Sequence, residues 1–192
     1  MARPKIFDPD TALDAAISIF SQHGFEGTSA AALTAAMGVG RQSLYDTFGD
    51  KWQLYLLALR RYVNRSVATQ ILALRAAPKA LDGIAAHFSV LIEDACSSIR
   101  PACLGVGAIC EFGREKPEVT EIAEASNRLL TYALKERLVE AQAKGEIAGD
   151  IDPQDAAGFL VANLVAIKLA ARAGAGRQTL QSIAAMALRS LR

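Results

Sequence analysis

The chain has 192 residues, a formal net charge of +1 and a hydrophobic content of 52%. A near-neutral charge does not by itself indicate a nucleic-acid partner, and an odd number of cysteines, three, argues against a disulfide framework. The N-terminus shows no export signal, and the most apolar run, 156–171, is interrupted by Asn163 and Lys168 and falls short of a membrane span. We therefore expect a cytoplasmic protein with no membrane partner.

Abundant alanine and few β-branched or aromatic residues favour helices almost everywhere, so we expect an all-α fold of about nine helices. The first helix begins at Asp8 and ends at His23-Gly24. Two short helices follow, from Ser29 to Ala36 and from Arg41 to Phe48, and a turn with two glycines joins them. Such a pair is the pattern of a helix-turn-helix, whose second helix enters a DNA major groove.

The remaining helices are mostly longer and build a body behind this N-terminal segment. Asp50 caps a long connecting helix, and a proline begins three of the later helices. The predicted helices run from Lys51 to about Leu74, Pro78 to about Ser97, Ala102 to Phe112, Pro117 to Ala143, Pro153 to about Ala173, and Gln178 to Leu191. This pattern indicates a helix-turn-helix domain over 1–50 and a larger helical domain over 51–192.

Two short motifs flank the predicted helix pair: Gly24-Phe25-x-Gly27-Thr28-Ser29 before it and Tyr45-x-x-Phe48-x-x-Lys51 at its end. With them, the N-terminal third resembles the DNA-binding end of the tetracycline-repressor (TetR) family, and the whole chain is similar to it in length and helix order. The resemblance implies a DNA-binding domain, a C-terminal domain that binds a small molecule, and a homodimer. It implies no catalytic activity and no cofactor.

The exposed start of the second helix of the pair carries Arg41, Gln42, Ser43 and Tyr45. Arg41 suits guanine O6 and N7, and Gln42 suits adenine N6 and N7, so these two are the predicted base contacts. Asp46 departs from the family pattern and either points away from phosphate or accepts a hydrogen bond from cytosine. The predicted contacts to the DNA backbone are Thr28, Ser29, Tyr45 and Lys51, with Arg3 and Lys5 as a short N-terminal arm.

The resemblance places a ligand cavity among the fifth to eighth helices, and the few charges there indicate a small, largely apolar effector. Each candidate for its lining also fits plain core packing. The candidates are His87, Phe88, Leu91, Val106, Cys110, Phe112, Leu130, Leu134 and Asn163.

The last two helices carry more apolar surface than one body can cover. We therefore expect Asp155–Ala173 and Gln178–Leu191 to pair with a second copy of the chain. The resemblance implies the same four-helix interface.

No catalytic set or zinc spacing is visible, and Glu111 is expected to be a surface or capping charge. Cys96, Cys103 and Cys110 are expected to be small buried hydrophobic residues. The alternative is that one of these thiols senses oxidants or electrophiles. The sequence favours a homodimeric, ligand-responsive repressor of a near-palindromic operator in double-stranded DNA. Other open alternatives are a helical ligand-binding or enzyme bundle without DNA, and a helical scaffold or membrane-surface protein.

Overall fold

The computed structural model of the chain describes residues 7–97 and 103–192, and the regular structure in those ranges is entirely helical. The predicted all-α fold is confirmed. Within these ranges there are nine helices: α1 (Pro9–His23), α2 (Ala30–Met37), α3 (Arg41–Phe48), α4 (Lys51–Ala76), α5 (Ala80–Ser97), α6 (Leu104–Phe112), α7 (Pro117–Ala143), α8 (Pro153–Arg172) and α9 (Arg177–Arg189).

The helix starts follow the local chemistry that the sequence predicted. The side chain of Asp8 accepts hydrogen bonds from the backbone N–H groups of residues 10 and 11, and Ser29, Asp50 and Asp152 cap α2, α4 and α8 in the same way. Several bounds differ from expectation. Helices α2 and α9 begin and end one or two residues from their predicted bounds, α5 begins at Ala80 rather than at Pro78, and the predicted start of the sixth helix lies outside the described residues.

The buried apolar side chains form two clusters along the molecule. One joins α1, α2 and α3 to the first half of α4, and it continues into α6 and the start of α7. The other lies among the second half of α4 and helices α5, α7, α8 and α9. Helices α4 and α7 contribute to both clusters, so the N-terminal helices rest directly on the body. The proposed division at residue 50 stays a prediction.

Helix α4 and helix α5 cross at a very short separation. A Cβ added to Gly83 would lie 2.2 Å from the backbone oxygen of Leu74, so only glycine fits at this crossing. The close approach fixes the connecting helix α4 against the body.

One helix of the described residues, α8, is long and apolar enough to cross a membrane by composition alone, with a mean hydropathy of 1.3. A core helix of a soluble protein has the same composition. Only 39% of its most apolar 18-residue segment is buried, so much of the apolar surface of α8 remains uncovered in a single chain.

Candidate nucleic-acid interface and internal cavity

Helices α2 and α3 are held at a fixed angle by a tight turn and a shared apolar contact. Gly38 ends α2 in the left-handed region with φ 64°, where a side chain is disfavoured. Leu33, Leu44 and Phe48 are buried beneath the pair, with Val39 of the turn. The apolar side of α3 is thereby fixed inward, and its polar side faces solvent.

The exposed side of α3 carries three polar residues in its first turn, Arg41, Gln42 and Ser43. The Gln42 amide nitrogen donates to Asp46 Oδ1 at 2.8 Å, one helical turn further on. The Arg41 guanidinium lies 5.9 Å from the ring centroid of Tyr45, which is half-buried. Asp46 therefore orients Gln42, and the amide oxygen and the second amide hydrogen of Gln42 remain for a base edge.

The residues that the sequence predicted to contact phosphates differ in whether their side chains are free to reach DNA. Thr28 is buried, and its hydroxyl donates to the backbone oxygen of Gly24, so it stabilises the loop before α2. Ser29 is exposed and accepts from the N–H of residue 32, which leaves its hydroxyl hydrogen for a phosphate. Lys51 Nζ lies 4.2 Å from the ring centroid of Phe25. Arg3 and Lys5 lie outside the described residues.

A carboxylate from the body holds the loop between α1 and α2. Glu111 of α6 accepts from the backbone N–H of Phe25 at 2.9 Å and from that of Glu26 at 2.8 Å. Gly24, with φ 72°, allows this approach, because a Cβ there would lie 2.8 Å from the Glu111 carboxylate. We call this contact the Glu111 clamp. The sequence predicted a surface or capping charge here, and the residue caps a loop 86 positions away in the chain.

Aromatic side chains surround the Glu111 clamp on its inner side. Phe25, Trp52, Tyr55 and Phe112 contact one another with ring centroids 5.2 to 5.8 Å apart. Burial raises the pKa of the Tyr55 hydroxyl. Because Phe112 is the last residue of α6, the cluster joins the end of α6 to the start of α4.

The body contains a partly open cavity of about 340 Å³ between α4, α6, α7 and α8. Its wall is mostly apolar, with a few polar side chains from α4 and charged ones from α7 and α8. The lining includes Tyr62, Ser66, Gln70, Cys103, Val106 and Lys168. A cavity of this size suits a small organic molecule.

Two of the sequence-predicted ligand residues, Val106 and Leu130, line this cavity. His87, Phe88 and Leu91 of α5 and Leu134 of α7 are instead buried in the core, since the inner sides of these two helices pack against each other and against their neighbours. Phe112 belongs to the aromatic cluster, and Asn163 donates to the backbone oxygen of Phe159. Cys110 lines a second cavity of about 300 Å³ between α1 and α6, beside Arg172 of α8.

The cysteines are less buried than the sequence predicted. Cys96 and Cys103 are half-buried and Cys110 is exposed, and all three are free thiols. Cys103 caps α6 through a 3.5 Å contact from the N–H of Val106. Burial raises the pKa of the neighbouring Tyr62 hydroxyl, and the hydrogen-bonded Cys103 raises it further. Among the described residues, no group of three or more His, Cys, Asp or Glu is placed to hold a metal ion.

Two short helices with a tight turn, a polar recognition surface and a cavity-containing helical body define a helix-turn-helix DNA-binding protein. Residues 12–58 match the family model of bacterial regulatory proteins of the tetR family, and residues 78–187 match that of the tetracyclin repressor-like C-terminal domain. The chain belongs to the TetR family of bacterial regulatory proteins.

Relatives cover nearly the full length of the chain. The HTH-type transcriptional repressor ComR of Escherichia coli is 31% identical over 97% of this chain and 90% of its own length. The uncharacterized HTH-type transcriptional regulator YezE of Bacillus subtilis is 30% identical over 94% of each chain. A cysteine variant of the TetR family transcriptional regulator CifR, solved with 26-bp operator DNA, has a TM-score of 0.83 and 31% identity over 100% of both chains. The chain is a DNA-binding transcriptional regulator and not an enzyme.

Proposed function

We propose that the protein is a cytoplasmic, homodimeric repressor that leaves a near-palindromic operator when a small, largely apolar effector enters the 340 Å³ cavity. Each protomer presents α3 to one half-site, and the two half-sites lie about 34 Å apart or a multiple of that distance. Effector and DNA oppose each other by linkage, because the effector favours a conformer whose two recognition helices no longer match the operator.

The observation that carries the ligand response is the position of α6. Its N-cap Cys103 and helical residues as far as Ile109 line the cavity, and its last two residues are Glu111 of the clamp and Phe112 of the aromatic cluster. The helix has nine residues, so a displacement at the cavity reaches the α1–α2 loop within about 14 Å. An effector that shifts α6 therefore moves the domain that carries α3.

The uncovered apolar surface of α8 and α9 supports the homodimer. Phe159, Leu169 and Met186 are 46%, 51% and 62% exposed. Phe159 and Leu169 are ten residues or about 2.8 turns apart, so both lie within an arc of about 80° of the surface of α8. A second copy that brings the same two helices covers this surface in a four-helix interface.

The DNA-binding part of the proposal is tested with labelled DNA from the regions flanking the gene. Fluorescence anisotropy is expected to show saturable binding to one fragment, with an affinity that falls steeply as salt is raised. Arg41→Ala weakens this binding, whereas Arg75→Ala, a matched exposed arginine at the far end of α4, leaves it unchanged. Equal binding to all fragments, or equal effects of the two variants, contradicts the proposed operator contact.

A second candidate function, the sensing of electrophiles, is favoured by the place of Cys103 in the cavity wall. In that function the sulfur bonds to the electrophilic carbon of a Michael acceptor, and the thiol proton ends on the adjacent carbon. N-ethylmaleimide is then expected to release operator DNA from the unaltered protein and from Cys110→Ser, but not from Cys103→Ser. If the alkylated protein stays folded and still binds DNA, the thiol mechanism is wrong.

A further inference from the structure

Gln70 is the most deeply buried polar side chain in the wall of the 340 Å³ cavity, with 2% of its surface exposed. It lies on α4, one turn after Ser66. Its Nε2 donates to the Ser66 backbone oxygen at 3.1 Å and to Ser66 Oγ at 3.0 Å. Its Oε1 is buried without a hydrogen-bond partner among the described residues. A buried acceptor left unpaired costs free energy, which marks the position for a further partner.

The orientation of this amide follows from its neighbours. The backbone oxygen of Ser66 can only accept, so the amide group of Gln70 must turn its nitrogen toward it. Both amide hydrogens are then used by Ser66, and Oε1 is left as an acceptor. The terminal torsion of glutamine is soft, so the oxygen can turn toward a donor in the cavity while the nitrogen keeps a bond to Ser66.

We propose that the effector of this regulator carries a neutral hydrogen-bond donor, a hydroxyl or N–H group on a largely apolar skeleton, and that Gln70 Oε1 accepts from it. The inference rests on the proposed function and names the chemical class of its effector. An apolar molecule without a donor leaves Oε1 unpaired, and a carboxylate places an acceptor against an acceptor.

The charged groups of the cavity do not favour an anion. Lys168 of α8 is half-buried and lies in the same wall as Glu124 of α7, which is exposed. Glu124 is paired with Arg128 at 3.6 Å, and the lining holds one cationic and one anionic side chain, so its formal charges sum to zero. The single deeply buried acceptor, Gln70, is therefore the group that distinguishes ligands of similar shape.

The test uses matched pairs of probes on the DNA-free protein: p-cresol with p-xylene, and 1-naphthol with 1-methylnaphthalene. In each pair a hydroxyl replaces a methyl group of similar size. Dissociation constants are measured by calorimetry for the unaltered protein, for Gln70→Met and for Asn127→Ala. The last variant removes a different amide side chain from the cavity wall, one that is exposed, and serves as the control.

The preference for the hydroxyl probe over its methyl partner is expected to fall about tenfold in Gln70→Met and to persist in Asn127→Ala. An unchanged preference in Gln70→Met overturns the proposal. Binding of neither phenol to the unaltered protein, or tighter binding of 1-naphthoate than of 1-naphthol, overturns it as well.

A crystal structure of the unaltered protein with 1-naphthol keeps the test independent of the variants. The hydroxyl oxygen is expected within hydrogen-bond distance of Gln70 Oε1, and a hydroxyl placed elsewhere refutes the assignment. Release of operator DNA by the same phenols is measured separately. A phenol that binds through Gln70 without releasing DNA contradicts the proposed repressor mechanism, whereas the assignment of Gln70 Oε1 as the acceptor for a ligand donor still stands.

Discussion

Removal of the Glu111 clamp is expected to loosen the loop between α1 and α2 without unfolding the protein. Glu111→Ala deletes the acceptor of two backbone hydrogen bonds, from Phe25 at 2.9 Å and from Glu26 at 2.8 Å. Hydrogen bonds to a charged group contribute more than neutral ones, but solvent screens this exposed carboxylate, so we assign about 1 kcal/mol to each. The local free energy of opening then falls by about 2 kcal/mol, which corresponds to roughly a 30-fold faster exchange of the two amides.

Amide hydrogen exchange, resolved at residues 24–28 by NMR, measures this effect directly. Glu111→Gln is expected to give an intermediate rate, because its amide offers one acceptor and turns a donor toward the second N–H. Glu115→Ala, which removes an exposed carboxylate just after α6, is the control and leaves the rate unchanged. If the amides of Glu111→Ala exchange at the rate of the unaltered protein, the clamp is refuted. In the same variant, operator DNA is expected to be released more slowly when the effector binds.

Three further predictions concern DNA specificity, pH and assembly. Gln42→Ala is expected to lose about 1–3 kcal/mol of discrimination between bases at one operator position. Asp46→Asn is expected to keep that discrimination and to raise the non-specific affinity for DNA. Footprinting on single-base operator variants checks both expectations. Burial is the main cause that lowers the folded-state pKa of His87, so the free energy of unfolding is expected to decline as the pH falls from 6.5 toward that lower pKa, by at most about 1.4 kcal/mol per pH unit. Urea titrations of His87→Leu should show a flatter profile in this range, and an identical profile contradicts the assignment. Leu169→Glu is expected to give monomers in light scattering, whereas Leu72→Glu, at an exposed leucine of α4, is expected to stay dimeric.

The proposed coupling between cavity and DNA needs no long pathway in this fold. The Glu111 clamp and the aromatic cluster both lie at the end of α6, and the cavity lies along the preceding residues, from the N-cap Cys103 to Ile109. A short rigid helix transmits a displacement along its length with little loss, since its backbone hydrogen bonds are internal. Arg61 of α4 adds a second link to the N-terminal helices, because its guanidinium donates to Asp10 and Asp14 of α1. The α4 helix and α1 therefore move together.

The elements near the N-terminus illustrate what sequence alone can determine. Asp8, Ser29 and Asp50 cap the helices that local chemistry assigned to them, and Gly38 provides the left-handed turn between α2 and α3. Caps and tight turns depend on residues within four positions of each other, so they can be predicted from the sequence. The motifs that flank these helices are equally local, and for that reason the resemblance to the TetR family is visible in the sequence.

The location of the cavity that we propose as the effector site depended on information that the sequence does not contain. Predicted linings such as His87 and Leu134 lie on inward sides of their helices, but those sides pack in the core, and the open space lies beside Gln70 instead. The sequence predicts a surface or capping charge at Glu111, and the structure shows that it caps the α1–α2 loop, 86 positions away in the chain. Helical periodicity determines which residues of one helix face inward. Only the tertiary packing of α4, α6, α7 and α8 decides where those inward surfaces meet and where they leave a cavity.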